Sequence, residues 1–448
     1  MDRVELLPDL GNFLYTIVSF VIALSIIVTV HEYGHYIIGR WSGIKADVFS
    51  LGFGPTLVSR VDRHGTRWQI AALPFGGYVK FRGDANAASA KGDEAELAAL
   101  TPEELRQTMH GAPLWARAAT VVAGPVFNFI LSIAVIAGLM LYTGTPTDKP
   151  VVGELYALPD GTGQLQTGDE ILAVAGKSTP DYPSFNEALA DAPEGAQLPL
   201  QVARDGQVLE IEGPQLFPPR LTGVAPKSAS YAAGLVEGDV ITAVDGNPIW
   251  TFEDLRQAVS SSKGKPLDLT VWHAATRTTS QMVLTPKRTD VPSVDGGFET
   301  RWMIGATGGF IFEPLTRPTG LGEALTGAVS QTWGIVTQSV SGLSNMILGN
   351  ISSCNLQGAI GIAQGSAAAA KSGLENFIWF IALLSTAVGF LNLFPIPVLD
   401  GGHLMFYCYE AIAGKPPSDR IMNVLMSIGV ALVFGLMLFG LSNDILCP

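Results

Sequence analysis

Four stretches of this chain exclude charge for long enough to cross a bilayer: Phe13 to Val30, running on to Ile38; Ala118 to Thr143; Asn376 to Leu399; and Ile421 to Asn443. A spanning helix takes about 20 apolar residues, so the pattern predicts four transmembrane helices. Between the second and third runs the rhythm changes to short Val, Ile and Leu runs broken by Gly, Pro and Asp, which reads as strands and turns. GDEILAVAG at 168–176 returns as GDVITAVDG at 238–246, and the same offset relates Gly153 to Gly223. Two tandem copies of one small α+β domain are therefore expected. Between the first two runs, PTLVSRV and TRWQIAAL flank Asp62-Arg63-His64-Gly65, a turn sequence that predicts a β-hairpin.

The organisation that follows is a polytopic α-helical membrane protein. Residues 1–40 hold the first transmembrane helix, 41–115 a loop with the hairpin, and 116–144 the second helix. The two repeated domains take 145–218 and 219–290. Residues 291–373 form a linker with amphipathic or interfacial helices, since 324–370 carry no charge yet are rich in Ser, Thr, Gly and Gln. The third helix takes 374–400, a loop 401–420, and the fourth helix with a short tail 421–448. The acidic, Ala-rich stretch at 87–107 reads as a mobile linker with a short helix.

Composition agrees with this mixture. Of 448 residues, 48% are hydrophobic and 15% charged, and mean hydropathy is +0.32, too apolar for an ordinary soluble protein and too charged for one lying wholly in lipid. A net charge of -13 excludes nucleic acid as a partner, because phosphates demand a basic footprint. The first run does not read as a cleaved signal peptide: Asp2, Glu5 and Asp9 oppose a single Arg3, and no small-residue cleavage site closes it. Cys354, Cys408 and Cys447 show no paired spacing and read as small hydrophobes in or near membrane segments.

Basic residues set the orientation. Arg40, Lys45, Arg60, Arg63, Arg67, Lys80, Arg82, Lys91 and Arg106 crowd the first connection, and Lys415 and Arg420 the third. The positive-inside rule places residues 40–115 and 400–420 in the cytoplasm, with both termini and the repeated domains on the opposite side.

Within this frame His31, Glu32 and His35 are unusual. Residues four apart share a helical face, so two imidazoles can reach one metal ion with a carboxylate beside them. Three ionisable groups in one turn of a membrane helix are costly unless paired, metal-bound or in a wet cavity. A catalytic zinc needs a third protein ligand and an open fourth position. The segment NLFPIPVLDGGH, 392–403, offers Asp400 at the cytoplasmic end of the third run, with His403 as a rival nearer the aqueous loop. Pro395 and Pro397 break the helix just before Asp400 and free its carboxylate to turn.

HEYGH on a helix, the NLFPIPVLDG segment, the repeated domains and the four spans together resemble the site-2 proteases, the intramembrane zinc metalloproteases, over essentially the whole chain. FSLGFGP, LPFGGYVKF and AGPVFNF are similar as well. The repeated domains resemble PDZ domains attached to bacterial envelope proteases, the first copy less closely. The resemblance implies that His31, His35 and Asp400 hold Zn²⁺, that Glu32 is the general base, and that Asn392 contacts the substrate main chain. It implies a membrane-associated hairpin that holds unwound substrate as an added strand. It further implies a bacterial inner-membrane location, with the PDZ-like pair in the periplasm and the active site near the cytoplasmic side. The substrate is then a single-pass membrane protein, such as an anti-sigma factor already trimmed by an upstream site-1 protease, or a remnant signal peptide. One departure is Ala359, where such proteins usually have proline. Two other readings use the same residues: a noncatalytic PDZ receptor or scaffold with a structural metal, and a metal transporter.

Overall fold

Lipid offers no hydrogen bonds, so a long apolar run must satisfy its own main chain, which a helix does. The computed structural model describes residues 6–85, 92, 94–292 and 298–447. Among these, four helices are long and apolar enough to cross a membrane: Gly11–Trp41, Leu114–Thr143, Leu374–Asn392 and Arg420–Leu446. The chain divides into two compact units, one of Met1–Leu139, Leu321–Ser344 and Leu356–Cys447, the other of Met140–Gly320 and Asn345–Asn355.

In the first unit, small residues let the helices approach closely. A Cβ on Gly34 would stand 2.6 Å from the Ala123 carbonyl oxygen, and one on Gly389 would stand 3.1 Å from that of Pro125. Hydroxyls tie the second and third spanning helices together: Ser132 donates to the Ala382 carbonyl at 2.8 Å, and Ser385 to that of Asn128 at 2.9 Å. Close backbones with interhelical hydrogen bonds are the usual glue of membrane helices.

The third helix ends at Asn392 rather than running on to Leu399. Pro395 and Pro397 lack the N–H that an α-helix requires, and a tight turn follows, with Ile396 N bonded to Phe394 O and Val398 N to Ile396 O. A new helix starts at Asp400 and continues to Ala413, where a plain loop was expected. It stops at Gly414, whose φ of +70° suits glycine. The helix Ala359–Lys371 begins at the atypical Ala359. The first helical position accepts proline readily, and alanine, the best helix former, suits it as well. The N-terminus of this helix is capped by Asp444, which accepts from Gly358, Ile360 and Gly361 N–H at 2.9–3.1 Å.

Two long strands, Ala46–Val61 and Arg67–Phe81, follow the first helix. Their register doubles back: Val48 to Leu51 face Lys80 to Gly77 on one side and Arg67 to Ile70 on the other. The pair therefore folds over into four ribbons, with residues 77–81 on one edge and 56–61 on the other. At the connecting turn Asp62 accepts from the His64 and Thr66 main chain, the Trp68 indole and the Tyr36 hydroxyl. Tyr36, Ile37, Phe49, Val79, Phe81 and Met109 form the core beneath. Leu57, Val58, Val61, Ile70, Leu73 and Phe75 are exposed. In the stretch 87–107, residues 87–91 and 93 lie outside the described residues; Glu94–Ala99 and Pro102–Leu105 are short helices.

In the second unit each sequence echo becomes a four-stranded sheet of the same order. One runs Lys177–Ser178, Glu170–Val174, Gln197–Arg204, Gln207–Pro214; the other Asn247–Pro248, Val240–Val244, Leu267–His273, Thr278–Leu284. The Gly-Asp aspartates do the same work in both. Asp169 accepts from Gln166 N and pairs with Arg204; Asp239 accepts from Val236 N and pairs with His273. The segment 291–373, expected as a linker with amphipathic or interfacial helices, holds the helices Leu321–Ile347 and Ala359–Lys371, with short strands before them. Ala306–Gly308 pairs with Leu221–Val224, and Phe312–Pro314 with Val152–Leu155. Strands this short, separated by glycines, fall below the length at which alternation is readable. The reading of the cysteines is corrected. Cys354 and Cys447 are each disulfide-bonded rather than plain small hydrophobes, and Cys408 is a free thiol.

Candidate metal centre

The site begins with one helical turn. His31 and His35 lie on a shared face of the first helix, and their Nε2 atoms stand 3.1 Å apart. The second helix supplies the partner for His35, whose Nδ1–H donates to the Thr120 carbonyl oxygen at 2.9 Å. That bond fixes the tautomer of a neutral His35 ring, leaving the Nε2 lone pair to face inward. Gly124 makes room for both rings: a Cβ there would lie 2.3 Å from His35 Nε2 and 2.8 Å from His31 Cε1.

Asp400 arrives from the far end of the sequence. The two glycines after it are required by the turn that delivers it, since a Cβ on Gly401 would meet the Leu393 and Phe394 carbonyl oxygens at 2.3 Å, and one on Gly402 that of Ile396 at 2.3 Å. Asp400 Oδ2 lies 3.2 Å from His31 Nε2 and 3.5 Å from His35 Nε2, and it is buried without a hydrogen-bond partner. Three atoms able to act as metal ligands, two ring nitrogens and a carboxylate oxygen, thus converge on one point. Zinc bonds of about 2.0–2.1 Å in a tetrahedron put neighbouring donors roughly 3.3 Å apart. The observed separations of 3.1, 3.2 and 3.5 Å bracket that spacing, so this donor set fits zinc.

Glu32 and Asn392 line the same cavity of about 370 Å³, together with Tyr78, Val79, Val398 and His403. The Val79 main-chain N–H donates to the Glu32 carboxylate. Gly77 belongs to the same strand edge, and a Cβ there would come 3.5 Å from Glu32 Cγ. All five residues singled out from the sequence therefore meet in one place. His403 shares the cavity without joining the three converging donors; burial holds its pKa below the ordinary value against the opposite pull of Asp400.

Sequence reading passed over Thr120, and it noted Gly124 and Asn128 only as part of the AGPVFNF stretch, with no task for either. The Nδ2 of Asn128 is 3.2 Å from His31 Nδ1. The available signal was a glycine and an asparagine four residues apart in an otherwise apolar span, where a buried amide needs a reason.

The family model described as peptidase family M50 matches residues 19–436. Among similar proteins, one of Rhizobium meliloti assigned by name to the zinc metalloproteases is 37% identical over 441 residues, covering 97% of this chain and 98% of its own length. Another so named, of Agrobacterium fabrum, is 35% identical over 433 residues, or 96% and 95% of the two chains. The regulator of sigma-E protease RseP of Escherichia coli is 34% identical over 464 residues, covering 97% and 99%.

Proposed function

The chain belongs to peptidase family M50 and is a zinc metalloprotease, and from that premise we propose that it hydrolyses a peptide bond within an unwound transmembrane segment of a single-pass membrane protein. The observation that carries this reading is the convergence of His31, His35 and Asp400 beside Glu32, on helices apolar enough to lie in a bilayer. His31, His35 and Asp400 hold the metal. When bound, zinc polarises the scissile carbonyl and acidifies the attacking water. Glu32 accepts the proton of that water on a carboxylate oxygen and passes it to the departing amine nitrogen. Asn392 holds the substrate main chain in the same cavity.

A helix presents no free carbonyl to attack, so the substrate unwinds, and its main chain then needs new partners. The edge at residues 77–81, beside Glu32, offers them as an added strand. The exposed Leu57, Val58, Ile70, Leu73 and Phe75 suit a sheet dipped into lipid. The basic residues of 40–115 favour the cytoplasmic side of a bacterial inner membrane for the site, with the repeated PDZ-like domains in the periplasm as a filter against bulky outer domains. An anti-sigma factor already cut by a site-1 protease, or a remnant signal peptide, fits such a filter. A noncatalytic scaffold would give Glu32 no task in the cavity, whereas hydrolysis gives it one.

The test is cleavage of a tagged single-pass peptide by purified protein in lipid. Glu32→Gln should retain zinc and lose about 10²–10⁴ in rate; cleavage at the wild-type rate would remove Glu32 from the chemistry.

A further inference from the structure

We propose that Asn128 is a positioning residue that fixes His31 as an Nε2 donor to the metal, acting as the hydrogen-bond partner of the opposite ring nitrogen. The inference rests on His31 being a ligand.

Asn128 is fully buried in the second spanning helix. Its main-chain oxygen is held by Ser385, and Gly389 packs on its Cβ, with a built Cβ at 3.1 Å. The residue is therefore anchored at two points by the third spanning helix, which carries both Ser385 and Gly389. Its amide faces His31 Nδ1 at 3.2 Å through Nδ2, while Oδ1 is buried without a partner.

The two ends of an amide have the same shape and opposite polarity. With Nδ2 toward the ring, Nδ1 of His31 accepts, and the proton of a neutral imidazole sits on Nε2, aimed at Asp400. That arrangement suits the metal-free protein. A half-turn of the amide puts Oδ1 toward the ring, so that Nδ1–H donates and the Nε2 lone pair is released into the cluster. Asparagine serves both states; a leucine of similar size serves neither. His35 has its fixed acceptor in the Thr120 carbonyl, so the second helix orients both imidazoles, one through main chain and one through Asn128. Partners of this kind are worth about 10–100-fold in metal affinity.

Zinc affinity is measured by chelator competition on full-length protein in detergent or nanodiscs, for wild type, Asn128→Asp, Asn128→Leu and Asp400→Ala. Asn128→Asp can only accept and should bind zinc at least as tightly as wild type, whereas Asn128→Leu should lose about 10–100-fold. Wild-type affinity in Asn128→Leu, or an equal loss in Asn128→Asp, overturns the proposal. Wild-type affinity in Asp400→Ala overturns the ligand set instead, which separates the two failures. Should a substitution at 128 prevent folding, ¹⁵N-histidine spectra of the zinc-loaded wild type decide the matter. The proposal requires a protonated Nδ1 on His31, and a deprotonated Nδ1 there overturns it.

Discussion

Gly124 is packed so closely on His35 that a Cβ at position 124 would stand 2.3 Å from the imidazole Nε2. A real Cβ does not tolerate that distance, and the ring has little freedom to retreat because Nδ1 is held by Thr120. Gly124→Ala should therefore displace the donor atom while the apolar helices still pack. Metal analysis of the purified variant should show zinc well below one per chain, with helical content by circular dichroism unchanged.

A second glycine tests the strand edge. A Cβ on Gly77 would meet the Ser50 carbonyl oxygen at 2.7 Å and Val28 Cγ1 at 3.2 Å. Gly77→Val should push residues 77–81 away from Glu32 and lower cleavage by roughly tenfold or more, because small misplacements of the reacting groups are costly. Zinc stoichiometry should remain that of wild type, which a cleavage assay run beside metal analysis will show.

Arg117 and Glu410 join the second spanning helix to the helix that begins at Asp400, through bonds of 3.0 and 2.6 Å. Both side chains are largely buried, and the paired geometry suits guanidinium and not ammonium. Arg117→Lys should cost on the order of 1–3 kcal/mol in denaturation. It should also weaken zinc binding, since Asp400 loses its brace.

Asp444 caps a helix distant in sequence by accepting from three main-chain N–H groups. Asp444→Ala should destabilise the protein by about 1–2 kcal/mol in thermal or denaturant unfolding. Zinc affinity should not change, because the groups it caps, at 358, 360 and 361, do not line the metal-site cavity.

Local sequence carried the chemistry because its signals are local. A four-residue interval places His31 and His35 on one face, and paired prolines before Asp400 announce a broken helix, so both halves of the site were legible. Their convergence was legible only through the argument that each half ends at the same side of the membrane. The partners of the histidines were not, because the Thr120 contact runs through a main-chain oxygen and the Asn128 contact through a side chain 97 positions from His31. The return of residues 306–314 to strands 82 to 162 positions earlier was hidden for a similar reason: three-residue strands carry too little periodicity, and pairing over such distances leaves no local mark.

Zinc K-edge X-ray absorption of the purified protein tests the central claim most directly. Two imidazole nitrogens and one carboxylate oxygen are expected at about 2.0–2.2 Å, with the metal lost or the oxygen shell altered in Asp400→Ala. A zinc shell without imidazole scattering, or one identical in wild type and Asp400→Ala, would contradict the account.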